Sequence, residues 1–140
     1  MPVETAPDAA RYPRPNISRD TAFYWEGLLD RKLLFRRCAG CGYIHHPPGP
    51  MCPSCRGLDW KVEQASGRAE LFSYVIMHHP ALPPFPHPNP IGLVTMEEGF
   101  RVVGGLLTAS FEEIAIGRKV ALEFHQPDPD LVLPMFRFVA

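Results

Sequence analysis

Four cysteines, Cys38, Cys41, Cys52 and Cys55, stand in the pattern C-x2-C-x10-C-x2-C. Two thiolates three residues apart in a tight turn can face one ion, and two such turns supply four sulfurs at the corners of a tetrahedron. The flanking residues agree with that geometry. Gly42 follows Cys41 and Arg56-Gly57 follows Cys55, so the chain can curl under an ion and aim amide N–H groups at sulfur, while Pro53 stiffens the second turn. The spacing predicts one metal ion held by these four residues, with zinc as the expected ion. Tetrahedral thiolate also suits iron, which its charge-transfer colour would reveal. A redox pair would use one C-x-x-C in a larger βαβ setting and leaves the second pair unexplained. Four protein ligands leave no open position for a reactive water, so the expected role of the metal is structural.

The rest of the chain contains no nucleophile elbow, phosphate loop, dinucleotide fingerprint or H-E-x-x-H, and no catalytic residue is expected. Glu97-Glu98 reads as a solvated turn, Glu112-Glu113 as the first turn of a helix, and His45 and His46 as ordinary strand histidines. His78 and His79 stand where a strand enters a proline-rich loop and His87 lies within it, with no carboxylate placed by sequence to orient them. Arg36, Arg37, Arg68, Arg101, Arg118 and Lys119 are dispersed, which suits at most a single phosphorylated ligand.

These residues must be positioned by elements the pattern also indicates. Of 140 residues, 46% are hydrophobic and 21% charged, an ordinary balance for a soluble domain, but 17 are proline, which argues for loops and edge strands over a helical bundle. Residues 1–17 hold four prolines and no apolar period and read as a flexible arm. Residues 18–32 read as an N-terminal helix, starting near Ser18 or Asp20, with Tyr24, Trp25, Leu28 and Leu29 on one face and Asp30-Arg31-Lys32 at its end. That face packs either on the chain's own domain or on a partner. Residues 33–60 read as a zinc ribbon, with Leu33–Arg37 and Tyr43–His46 as its short strands. From residue 61 the period changes to two. Gly67–His79, Ile91–Met96, Phe100–Leu107, Lys119–His125 and Leu133–Val139 read as strands, with a helical turn over Ser110–Ile116 and a turn over residues 126–130. In Gly67–His79, Leu71, Ser73, Val75 and Met77 fall on one face. Five strands with a short helical element before the fourth predict an OB-type barrel over 61–140. The fold class is therefore mainly β: N-terminal helix, zinc ribbon, then five-stranded OB-fold. The segment His79–Pro90 holds six prolines and joins the first two barrel strands; it reads either as a stiff binding element or as a lid over the barrel's own end.

The order Phe23-Tyr24-Trp25-Glu26-Gly27-Leu28, Leu34-Phe35-Arg36-Arg37-Cys38-Ala39-Gly40-Cys41-Gly42, Pro47-Pro48 and Cys52-Pro53-Ser54-Cys55 resembles a known family. So do Trp60, Ala65-Ser66-Gly67-Arg68, Phe72-Ser73-Tyr74 and Pro134-Met135-Phe136-Arg137-Phe138. The family comprises small bacterial and archaeal acyl-CoA-associated proteins that join a rubredoxin-like zinc ribbon to an OB-fold. The resemblance runs from about residue 21 to 139. It implies an accessory subunit of a thiolase-superfamily enzyme (a thiolase, acyltransferase or thiolase-like retro-aldolase of sterol breakdown), with a MaoC-like hydratase as a further partner. It also implies acyl-CoA as ligand, with catalysis on the partner chain.

The expected function is thus a non-catalytic subunit that binds or positions acyl-CoA, in sterol or lipid catabolism. His78, His79, Phe85 and Arg101 are the candidate contacts to acyl-CoA or partner. The alternative is a nucleic-acid-binding zinc-ribbon/OB module. Against it stand a formal net charge of −1 and a segment, residues 91–109, that offers one arginine and one phenylalanine against two glutamates. No apolar run approaches the roughly 20 residues of a membrane span, and no signal sequence is evident, so a cytoplasmic protein without nucleic-acid or membrane partners is expected.

Overall fold

The apolar turn around Tyr24 and Leu28 forms α1 (Ala22–Leu29) in a computed structural model that describes residues 12–140. The flexible arm expected over 1–17 lies outside the described residues as far as residue 11. The helix is shorter than the expected 18–32, and its start differs from expectation. Neither the Ser18 nor the Asp20 side chain caps it. The Ser18 carbonyl instead accepts from the amides of Thr21 and Ala22 at 3.2 and 2.9 Å, while Asp20 faces Arg36 at 3.6 Å. At the other end the Arg31 amide donates to the Leu28 carbonyl at 3.0 Å and the Lys32 amide to that of Gly27 at 2.9 Å, with Arg31 left-handed at φ 59°. This is the closure that glycine normally provides. Gly27 has a packing reason: a Cβ there would stand 2.7 Å from Leu34 Cδ1, so only glycine lets the helix sit on the strand that follows.

That strand, β1 (Leu34–Cys38), is the middle of a three-stranded antiparallel sheet with β2 (Ile44–His45) and β3 (Trp60–Gln64). β3 pairs with β1 from Leu34 opposite Gln64 to Cys38 opposite Trp60, and so crosses the boundary expected between residues 60 and 61. The barrel follows: β4 (Arg68–Met77), β5 (Asn89–Met96), β6 (Arg101–Leu107), a single 3-10 turn at Phe111–Glu113, β7 (Lys119–Asp128) and β8 (Leu131–Phe138). Its order is β4-β5-β6-β8-β7, closed by β7 on β4, with β6 and β8 parallel and the other pairs antiparallel. The five-stranded OB architecture is as expected. No helix among the described residues is long and apolar enough to cross a membrane.

Two details of the strands differ from a plain period of two. A bulge between Leu71 and Ser73 places Leu71 opposite buried Val94 but Tyr74 opposite Gly92 and Ile76 opposite Pro90. The single face of Leu71, Ser73, Val75 and Met77 is therefore broken, because the extra residue shifts every later side chain to the other side. The expected turn over 126–130 is also tighter: β7 runs on to Asp128, with an irregularity between His125 and Asp128 that accommodates Pro127 in a strand.

One core joins all three parts. Tyr24 and Leu28 of α1, Leu33 and Phe35 beside and within β1, and Leu71, Val94, Met96, Val102, Leu106, Val120, Val132 and Phe136 of the barrel form one buried cluster. The helix packs on its own chain. Phe35 meets Phe100 of the barrel with ring centroids 4.6 Å apart. His46 is wedged at the same seam, 5.3 Å from Tyr24 and 5.5 Å from Phe100. Burial, with a smaller repulsion from His45, pulls its imidazole down to about 4. An unfolded histidine titrates near 6.5, so the unfolded chain takes a proton that the folded chain resists. His46 should therefore reduce stability as pH falls from about 6.5 to 4, by up to about 3 kcal/mol. Urea unfolding at pH 7 and pH 4.5 should show this slope in the parent, and a flatter one in His46→Phe.

Candidate metal centre and apolar cavity

The two cysteine turns are built alike. The Gly42 amide donates to the Cys38 carbonyl and the Arg56 amide to the Cys52 carbonyl, both at 2.9 Å, and both residues are left-handed, with φ 80° and 64°. Of the Arg56-Gly57 pair that follows Cys55, Arg56 is the left-handed pivot and Gly57 has another task. A Cβ on Gly57 would lie 3.2 Å from Cys55 Sγ, while its own amide donates to that sulfur at 3.4 Å.

The four Sγ atoms lie within 4.8 Å of one another, with Cys38 and Cys55 3.5 Å apart and Cys41 and Cys52 3.6 Å apart. A zinc–thiolate bond of about 2.3 Å gives a tetrahedron with edges of about 3.8 Å. A disulfide would need about 2.05 Å. Amides of Cys41 and Gly40 directed at Cys38 hold its thiol below the ordinary cysteine value, which favours the thiolate a metal requires. Cys38 and Cys52 are buried and Cys41 and Cys55 exposed, so the set sits at the rim of the ribbon. The donor set fits one thiophilic ion, and among the described residues no fifth His, Cys, Asp or Glu joins the group. Among the described residues these four are the one group of three or more His, Cys, Asp or Glu side chains close enough to share an ion.

The second feature is a cavity of about 250 Å³ on the outer face of the barrel, where β5, β6 and β8 meet α1 and the proline loop. Ile91, Val103, Leu133 and Met135 form its floor and Tyr24 and Trp25 one wall. Tyr12 and Phe85 close over it edge to face, with ring centroids 4.8 Å apart, and Tyr12 also meets His125 at 5.7 Å. Arg14 fastens this stretch through Asp128 at 2.7 Å and Asp130 at 3.1 Å. The polar side chains on the wall, apart from the tyrosines, are those of Asn89 and His125.

The four candidate contacts are not brought together. Phe85 closes the cavity. His78 and His79 are exposed at the end of β4 and line neither this cavity nor the smaller one under the loop, where His87 lies beside Leu82 and Phe85. Arg101 begins β6, where Arg101 pairs with Thr95, whereas the cavity lies at the Ile91–Gly105 rung, four residues or about 13 Å further along the strands. Its guanidinium stacks on Phe72 at 3.7 Å. Sequence reasoning missed Tyr12, Val103, Met135 and His125. The last three occupy outward positions of strands, and Tyr12 lies in a stretch without period. The expected solvated turn at Glu97-Glu98 proves engaged: Glu97 pairs with Arg68 at 2.7 Å, and Glu98 accepts from the Ser66 amide at 2.8 Å.

The profile described as "ChsH2, rubredoxin-like zinc ribbon domain" matches residues 25–61, and "ChsH2, C-terminal OB-fold domain" matches residues 62–125. A "probable enoyl-CoA hydratase alpha subunit" of Thermomonospora curvata is 43% identical over 135 residues, covering 96% of this chain and 42% of its own length. This chain thus spans less than half of that relative. A "DUF35 domain-containing scaffold protein" of Methanocaldococcus jannaschii is 28% identical over 110 residues, covering 76% of this chain and 77% of its own. The solved "Ltp2-ChsH2(DUF35) aldolase" contains a chain 42% identical, with a TM-score of 0.86, covering 91% of this chain and 100% of that one.

Zinc-ribbon sites of this kind contribute on the order of 10–16 kcal/mol of apparent binding energy. Cys52→Ser should therefore lose the bound ion and unfold the ribbon. Metal analysis of the purified protein, together with near-ultraviolet circular dichroism, checks this; unchanged metal content and spectrum would contradict the assignment.

Proposed function

The chain belongs to the ChsH2/DUF35 family of zinc-ribbon and OB-fold proteins, and we propose that it serves as a non-catalytic accessory subunit of an acyl-CoA-processing enzyme of the thiolase superfamily. The observation that carries this reading is an apolar, ligand-sized cavity whose described lining holds one histidine, His125, and no carboxylate, lysine, cysteine or serine to form a catalytic set with it. Its volume suits a short acyl group or one end of a larger one, not a whole acyl-CoA, so the remainder would extend over the surface or into a partner. Phe85 and Tyr12 then contact the acyl end. Cys38, Cys41, Cys52 and Cys55 hold one zinc ion, which cross-links the two turns of the ribbon and takes no part in the reaction.

The comparisons support this by the company the fold keeps. One relative is named a hydratase subunit, one a scaffold protein, and the solved complex an aldolase with Ltp2. The catalytic cysteine or base would belong to the partner chain, with a MaoC-like hydratase as a further associate. The family resemblance points to sterol or other lipid acyl groups. Of the remaining candidate contacts, Arg101 is assigned to the partner side, since it lies away from the cavity. The nucleic-acid alternative is weakened because α1 and Tyr12 cover part of the outer barrel face where OB-folds take up oligonucleotides.

Co-expression with the thiolase-like subunit encoded nearest to this chain tests the proposal. A single complex should co-elute, and the partner alone should lose most of its turnover. Val103→Trp, which fills the cavity from an exposed position, should weaken acyl-CoA binding to the complex about tenfold or more without dissociating it. A chain that stays free and leaves the partner's turnover unchanged would overturn the reading.

A further inference from the structure

Strand β4 is hydrogen-bonded along its whole length on one side only. There it pairs with β5 from Ala69 to Met77. On the other side its ladder with β7 covers Arg68 to Glu70, and Leu71 adds one reciprocal contact, accepting from Gly117 at 2.8 Å and donating to Arg118 at 2.9 Å. From Phe72 to Met77 this second edge has no backbone partner among the described residues.

Between Leu71 and Met77 there is no charge and no proline, two of the devices that keep an open strand from pairing with another chain, and the one irregularity among the described residues is the bulge at Phe72, at the start of the open stretch. The neighbouring side chains are large, apolar and open: Phe72 is 47% exposed, Tyr74 37%, Val75 59%, and Ile116, beside the last rung, 67%. Arg101 places its guanidinium carbon 3.7 Å from the Phe72 ring centroid and donates to Thr95 Oγ1 at 3.3 Å. A six-residue edge spans about 20 Å and presents roughly three N–H and three C=O groups at strand spacing. A helix satisfies its own backbone and cannot use them; an extended segment can.

We propose that the partner chain adds a strand to the Phe72–Met77 edge of β4, with apolar side chains at alternate positions meeting Phe72, Val75 and Ile116. This rests on the accessory-subunit reading and names the surface by which the assembly forms. The occupant is an extended, uncharged segment of the partner enzyme; a second copy of this chain is the competing occupant.

The test uses the full chain and its complex with the co-expressed thiolase-like subunit. Hydrogen exchange should show fast amides within 72–77 in the free chain and at least tenfold protection of the outward-facing ones in the complex. Val75→Lys, at an exposed position, should weaken association at least tenfold, while Val62→Lys, an exposed valine on the ribbon sheet, should leave it unchanged. A complex that forms with 72–77 unprotected and Val75→Lys without effect would overturn this inference and leave the accessory-subunit reading standing. A free chain that dimerises at micromolar concentration, and loses the dimer with Val75→Lys, would assign the edge to a second copy and overturn it too. No complex at all would overturn both.

Discussion

A ribbon of some thirty residues cannot bury a core of its own, and this constraint organises the molecule. At its outer end the ribbon is tied by four sulfurs that converge from two turns. At its inner end it is tied by Phe35, which leaves the ribbon sheet to meet Phe100 of the barrel. Strand β1 connects the two, since Cys38 stands three residues beyond Phe35 and both are buried. The same strand carries Arg36, whose guanidinium lies over Phe23 at 4.7 Å and near Trp60 at 5.7 Å, so helix and ribbon are clasped from its other side. Leu28 and Tyr24 reach the shared core only because Gly27 admits the Leu34 side chain. Helix, ribbon and barrel thus share one cooperative unit, with the sulfur set as its outermost fastening.

What the sequence made legible was local. The cysteine spacing, the change to a period of two and the Glu97-Glu98-Gly99 hairpin depend on residues a few positions apart, and each was found where expected. What it hid depends on distant partners. Arg31 and Arg56 adopt the left-handed conformation that normally signals glycine, at a cost of roughly 1 kcal/mol each. Arg31 is held there with its side chain donating to Gln126 at 2.8 Å and lying near Phe124 at 5.9 Å, contacts 95 and 93 positions away. The bulge at Phe72 leaves no mark in the composition of β4, yet it reverses the facing of every residue after it. Strand β3 was missed because Trp60-Lys61-Val62-Glu63-Gln64 is mostly polar and carries little apolar pattern, and its pairing to β1 fixes it.

The candidate site shows the same division. His78, His79 and Phe85 were drawn together by nearness to one loop and Arg101 by charge, but nearness along a chain is not nearness on a barrel. Phe85 turns inward over the outer face of β5 and β6, whereas the histidines remain at the tip of β4. The informative signal lay in the outward positions of the barrel strands. Ile91, Leu93, Leu133 and Met135 would be polar in a sheet with one face in water; they are apolar and half-buried because that face is partly covered, while Val103 among them stays exposed. Part of that cover is α1 with Tyr12, which makes the cavity.

The charges lead to the same view of how this surface is used. Arg14 is taken by Asp128 and Asp130, Arg37 by Glu63, Arg68 by Glu97, Lys119 by Glu70 and Arg137 by Glu123. Exposed pairs of this kind add little stability, commonly below about 1 kcal/mol each. Their effect is to neutralise: each fixes a cation beside a carboxylate and removes it from the field that a polyanion would follow. Phosphate-driven binding needs the opposite, a stripe of cations with nothing nearby to answer them. With these five cations answered by carboxylates and the Phe72–Met77 edge apolar, the proposed joining to a protein partner would rest on shape, apolar contact and backbone hydrogen bonding.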